Sequence, residues 1–175
     1  AMHVTKLHIY DVRGFLGGEA ETKLDIAKGG PGWHVFAGRN GAGKSTLLRA
    51  AALAIVGPDH ARALMPSFAG WIRDGARGGV AGVSMTRDAE DGLQGAGSIP
   101  KKAFFAGMAW EHAAEGREPT IEMWPEKSAE TGKKGLLGPW RGPWGPNPRG
   151  WLVAGYGPFR RLTGHAADAQ RIMVG

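Results

Sequence analysis

The sequence predicts an α/β fold in which a parallel core of strand, loop and helix carries an antiparallel β subdomain. Three observations predict it. The run Gly38-Arg39-Asn40-Gly41-Ala42-Gly43-Lys44-Ser45-Thr46 places two glycines on either side of four residues and follows them with lysine and a hydroxyl, the pattern of a phosphate-binding loop. It lies between an apolar, aromatic run, Trp33 to Ala37, and an alanine- and leucine-rich run, Thr46 to Val56, so a strand enters the loop and a helix leaves it. Several alternating segments before and after it lack intervening helical patterns, which reads as an antiparallel meander.

Taken in chain order, Val4 to Tyr10 (VTKLHIY) and Thr22 to Ile26 (TKLDI) alternate polar and apolar residues across a glycine-containing turn, as half-buried strands do. Trp33-His34-Val35-Phe36-Ala37 is expected as the buried strand before the loop. The helix over 46–56 should stop at Gly57-Pro58, and Ala61 to Ile72 can hold a second helix interrupted at Pro66. Val80 to Arg87, Ala103 to His112 and Thr120 to Trp124 are further strands. Residues 132–150 (GKKGLLGPWRGPWGPNPRG) form a basic loop rich in glycine, proline and tryptophan, unable to sustain a helix or a central strand. Trp151 to Tyr156 reads as a last strand, and residues 2–175 as one unit.

A chain of 175 residues, 42% apolar and 22% charged, is long enough to bury a core. Its longest apolar stretch, Ala50 to Val56, falls far short of a membrane span, and no secretory pattern is visible at the start. The absence of cysteine excludes disulfides and thiolate metal sites and fits a cytoplasmic protein. The formal charge of +6 is localised: Lys133, Lys134, Arg141, Arg149, Arg160 and Arg161 lie in a stretch, 131–167, that contains no acid, and the remainder of the chain is neutral.

The loop residues have defined chemical tasks. Glycines allow successive backbone N–H groups to turn inward toward phosphate oxygens. Lys44 supplies charge to the β- and γ-phosphates, the Ser45 hydroxyl is the expected Mg²⁺ ligand, and the N-terminus of the following helix adds its partial positive charge. Binding of a nucleoside triphosphate with Mg²⁺ follows.

The opening Leu7-His8-Ile9-Tyr10-Asp11-Val12-Arg13-Gly14-Phe15, with a phosphate loop near residue forty, resembles the N-terminal part of the ABC-type ATPases of the RecF, SMC and OLD group. Arg13 and Phe15 match that group's opening, whereas Asp11-Val12 replaces its usual Asn-Phe. Val153-Ala154-Gly155-Tyr156-Gly157-Pro158-Phe159-Arg160-Arg161 looks like a strand and turn of the OLD-like members. The resemblance implies a P-loop NTPase lobe that is incomplete without its C-terminal part, binds ATP and Mg²⁺ with Arg13 near the nucleotide, and dimerises in response to ATP. It also implies coupling to DNA or to an effector, in DNA maintenance or defence against phage.

No apolar strand in the sequence ends in Asp-Glu, and Leu162-Thr163-Gly164-His165-Ala166 is a poor match to the signature that meets the opposing γ-phosphate. Gln94 and Gln170 lie in polar surroundings and do not follow the strand after which the group carries its Mg²⁺-sensing glutamine. The missing elements are therefore expected from the C-terminal half of the same ATPase or from a second chain, with a homodimer as the working assembly and little or no turnover by this chain alone. Trp140, Trp144 and Trp151 alternate with Arg141 and Arg149, a composition suited either to stacking bases beside phosphates or to covering a hydrophobic edge. The six histidines show no paired metal spacing. The alternative reading is a P-loop small-molecule kinase with Arg160-Arg161 in a lid, against which stands the succession of strands after the first helix. A GTPase lacks its guanine-reading motif here.

Overall fold

The computed structural model describes residues 3–17, 22–26, 30–86, 92–93, 104–115, 117–124 and 148–149. Five strands, β1 (His3–Tyr10), β2 (Thr22–Asp25), β3 (Gly78–Thr86), β5 (Phe104–Glu111) and β6 (Thr120–Met123), form one sheet in the order β2-β1-β3-β5-β6. Every pairing in it is antiparallel. A second pair, β4 (Gly92–Leu93) with β7 (Pro148–Arg149), is also antiparallel. Two helices, α1 (Lys44–Val56) and α2 (Pro58–Leu64), complete the described elements. No helix among the described residues is long and apolar enough to cross a membrane.

The expected α/β fold with a parallel core is therefore corrected: the described residues hold an antiparallel sheet and two short helices, and Trp33 to Ala37 is not a strand. A strand needs a neighbour to satisfy its backbone and cover its side chains. The segment pairs with none of the five strands, and Trp33 and Val35 stand fully or almost fully in solvent, 101% and 87% exposed. β3, β5 and β6 follow one another as the alternation indicates, each within two residues of its expected limits, whereas the short β4 and β7 fall in segments without a strand pattern.

One face of the sheet makes the core. Leu7 and Ile9 of β1, Ala81, Val83 and Met85 of β3, and Ala106, Met108 and Trp110 of β5 alternate inward. The apolar stripe of α1, Leu47, Ala50, Leu53 and Ala54, packs against β3 and β5. Phe68 and Trp71, beyond α2, close the end of this layer against Trp110, with ring centroids 5.9 and 5.5 Å from the Trp110 ring. On the other face the Phe105 ring lies over Gly82 and Gly107, where a β-carbon would collide with it. His8 and Trp124 meet that ring edge-on, each at 5.2 Å.

α2 begins at Pro58, a favoured first helical position, and ends at Leu64. Its end is set by Pro66, because the residue before a proline avoids helical angles; Met65 is extended at φ −139, ψ 94. The helix expected over Ala61 to Ile72 therefore ends early, and the next segment is pinned instead by Glu118. That carboxylate accepts hydrogen bonds from Ser67 Oγ and the Phe68 N–H, both at 2.8 Å. These two bonds, the hydroxyl's first, hold its pKa below the ordinary carboxylate value.

Gly79, at the start of β3, marks where the chain after β1 passes closest. A β-carbon there would stand 2.6 Å from the Asp11 carbonyl oxygen and 3.0 Å from Val12 Cγ2, and backbone cannot give way as a side-chain tip can. Gly79→Ala should destabilise the protein by about 1–3 kcal/mol, read as a lower urea midpoint. An unchanged midpoint would show that the β1 end does not press on β3 as described.

Candidate nucleotide site

Residues 38–43 lie between the exposed segment 33–37 and α1, and Lys44, Ser45 and Thr46 open that helix. Gly41 and Gly43 have φ of +81 and +84, values that a β-carbon disfavours, and they turn the chain so that Gly43 caps α1. Ala42 N–H donates to the Arg39 carbonyl at 3.2 Å, and Leu47 N–H to the Gly43 carbonyl at 2.9 Å. The N–H groups of Lys44, Ser45 and Thr46 are thus the open donors at the head of α1. No acidic residue occupies the first turn, so nothing there opposes an anion.

Lys44, the first residue of α1, bends back over the loop. Its Nζ donates to the carbonyl oxygens of Gly38 and Arg39, each at 2.8 Å. Gly38 also abuts the Lys44 stem, since a β-carbon at Gly38 would lie 3.8 Å from Lys44 Cδ and 3.6 Å from Ala42 Cβ. The ammonium is thereby held at the loop's mouth on one partly buried stem, while Arg39, Asn40, Gly41, Ala42 and Ser45 remain exposed. Thr46 is half-buried behind them.

Beside the loop is a concavity of about 280 Å³, whose wall includes Phe15, Leu24 and Phe36 on the apolar side and Gly43 and Lys44 on the polar side. The Phe15 ring is seated directly on Gly43, 2.9 Å from where a β-carbon would be. An apolar wall next to a turn with open N–H donors and an ammonium suits a ligand with a charged end and a flat, less polar remainder. Thr22 and Leu24 of β2 also line it; the alternation of that strand marked Leu24 as inward-facing without indicating what it faces.

The structure thus brings Lys44 to the turn formed by Gly38 to Gly43. Arg13 does not line this concavity. Its backbone N–H donates to the Trp71 carbonyl at 2.9 Å, its guanidinium stands over the Trp71 ring at 5.3 Å from the centroid, and it lines a different hollow with Arg73 and Arg117. The cause is a long-range contact that local sequence does not contain: Asp11 accepts from Arg73 Nε at 3.1 Å, and the Arg73 N–H donates to the Asp11 carbonyl at 2.8 Å. These bonds fix the turn that presents Arg13.

Among the described residues no group of three or more His, Asp or Glu gathers to hold a metal. Ser45 offers a single exposed hydroxyl at the helix head, which fits an ion that takes most of its ligands from phosphate and water. Gln94, Gln170, Arg160, Arg161, the weak signature match at 162–166, the strand expected over Trp151 to Tyr156 and nearly all of the 132–150 loop lie outside the described residues. Comparison with protein-family models, with curated proteins and with solved structures gives no match.

Proposed function

We propose that this chain is an ATP-Mg²⁺-binding lobe of an ABC-type ATPase, which couples nucleotide-driven dimerisation to DNA or to an effector in DNA maintenance or phage defence. The observation that carries the reading is the turn Gly38 to Ser45, closed by Lys44 Nζ on two of its own carbonyls at the head of a helix with no side-chain cap. Three open N–H donors, a helix dipole and one ammonium converge there, with nothing acidic in the first turn. The resemblance of residues 7–15 to the opening of that ATPase group supports the same reading.

In this scheme the loop backbone binds the phosphates, Lys44 exchanges its two carbonyls for β/γ-phosphate oxygens, and Ser45 orients the ion. Bound Mg²⁺ supplies charge neutralisation of the phosphates. No apolar strand in the sequence ends in an acidic pair, so the residues that polarise the attacking water come, in this scheme, from the C-terminal half of the same ATPase or from a different chain. The compartment in this reading is the cytoplasm, in keeping with the absence of cysteine. The kinase alternative calls for alternating helices and strands after the first helix, whereas the described elements from β3 to β6 are all strands; the antiparallel sheet itself departs from the parallel core expected for either reading.

Titration with Mg-ATP by calorimetry, with phosphate release followed in the same sample, tests the reading. Saturable binding with negligible turnover is the expected result. Absence of binding overturns the nucleotide site, and sustained turnover overturns the view that this chain needs a partner.

A further inference from the structure

The hollow that takes Arg13 is larger than the one beside the loop, about 560 Å³, and its chemistry is different. Three arginines line it, Arg13, Arg73 and Arg117, with Asp74 as the single lining carboxylate. Two of the three are held in place. Arg73 gives its Nε to Asp11 at 3.1 Å, and its terminal nitrogens have no partner among the described residues. Arg13 lays its guanidinium over the buried Trp71 ring, which leaves its N–H edge for another acceptor. Glu118, next in sequence to Arg117, is turned away to Ser67 and Phe68. His112 Nε2 donates to the Ala76 carbonyl at 3.1 Å, fixing the ring at the edge of the hollow.

Charge decides the class of ligand. Asp11 neutralises Arg73 and Asp74 offsets one of the remaining two arginines, so the hollow presents an excess of one positive charge through several forked donors. That matches a singly charged oxyanion taken by more than one guanidinium, and a triphosphate tail would exceed it. The large exposed apolar side chains, Leu16, Trp33, Val35, Leu48 and Leu64, all lie outside its lining, which disfavours a lipid surface. We infer that the Arg13–Arg73–Arg117 hollow is a second anion site, separate from the phosphate loop, that binds a phosphodiester group. Such a group comes from a nucleic-acid backbone or from a small diester such as a cyclic dinucleotide. The inference does not need the loop to bind ATP; where the diester is a DNA backbone, it deepens the DNA half of the proposed function and rests on it.

The test is binding of labelled oligothymidylate and of cyclic diguanylate to the whole chain and to three variants, Arg117→Gln, Arg13→Gln and Lys44→Ala. Arg117 is exposed and contributes nothing to the core, so its variant remains informative if Arg13→Gln loosens the packing on Trp71. The expected result is about tenfold weaker binding of one or both probes by Arg117→Gln, a salt slope lower by about one unit for the oligonucleotide, and undiminished binding by Lys44→Ala. Binding of the oligonucleotide alone identifies a backbone, and binding of cyclic diguanylate alone identifies a small diester. Binding of neither probe, equal binding by Arg117→Gln and the unaltered chain, or loss confined to Lys44→Ala would each overturn the inference; the last would leave the loop as the only anion site.

Discussion

Replacing Lys44 with alanine should weaken Mg-ATP binding by about a hundredfold or more, while thermal unfolding moves by no more than about 0.5 kcal/mol. The asymmetry follows from where the ammonium spends its bonds. In the free protein it donates to the Gly38 and Arg39 carbonyls at 2.8 Å. Both oxygens lie at an exposed loop and can turn to water, so their loss costs the fold little. In the complex the same nitrogen would face phosphate oxygens, where a charge-assisted bond has no neutral substitute. Arg49→Ala, on the exposed side of the same helix, removes an equal charge and should leave the affinity within about twofold. Calorimetry on the two variants separates a specific lysine from a general effect of basic charge; equal losses in both would end the assignment of Lys44.

The largest effect on folding is expected at Trp110. It is completely buried on β5 between Phe68 and Trp71, and truncation to alanine should cost about 3–5 kcal/mol. That approaches the whole stability of a small domain, about 5–15 kcal/mol, so the variant should be partly unfolded at ambient temperature. Trp110→Phe should be far milder, about 1 kcal/mol. The indole Nε1 is buried without a hydrogen-bond partner among the described residues, and removing such an orphan returns about 1–3 kcal/mol against the lost volume. Urea midpoints of the two variants give the answer. A phenylalanine variant as unstable as the alanine one would mean that the indole N–H has found an acceptor after all.

The contrast between residues 33–37 and β1 shows what the sequence makes legible. In β1, alternation of Leu7 and Ile9 with Lys6, His8 and Tyr10 specifies a half-buried strand by itself. Trp33, Val35 and Phe36 carry the same preference for a pleated surface, yet preference does not supply a pairing partner, and the segment pairs with no strand of the sheet. The conformation of the turn is legible because its information is local: Gly41 and Gly43 have positive φ, and Lys44 reaches carbonyls only five and six residues back. The surroundings of Arg13 are not, because they are set by Asp11 and Arg73, 62 residues apart. The same holds for Arg117, brought to that hollow by a connection between β5 and β6 whose polar composition indicates only a turn.

The seating of Phe15 on Gly43 makes two distant positions a single unit of shape. A smaller side chain at 15 would open room for a methyl group at 43, so the steric objection to alanine there is conditional on its neighbour. The objection from handedness is not, since φ stays at +84 whatever lies above it. Substitutions at the two sites should therefore combine non-additively, and only one part of the penalty at 43 is open to compensation. The ring supplies the negotiable part, and the backbone's chirality the part that no second change can relieve.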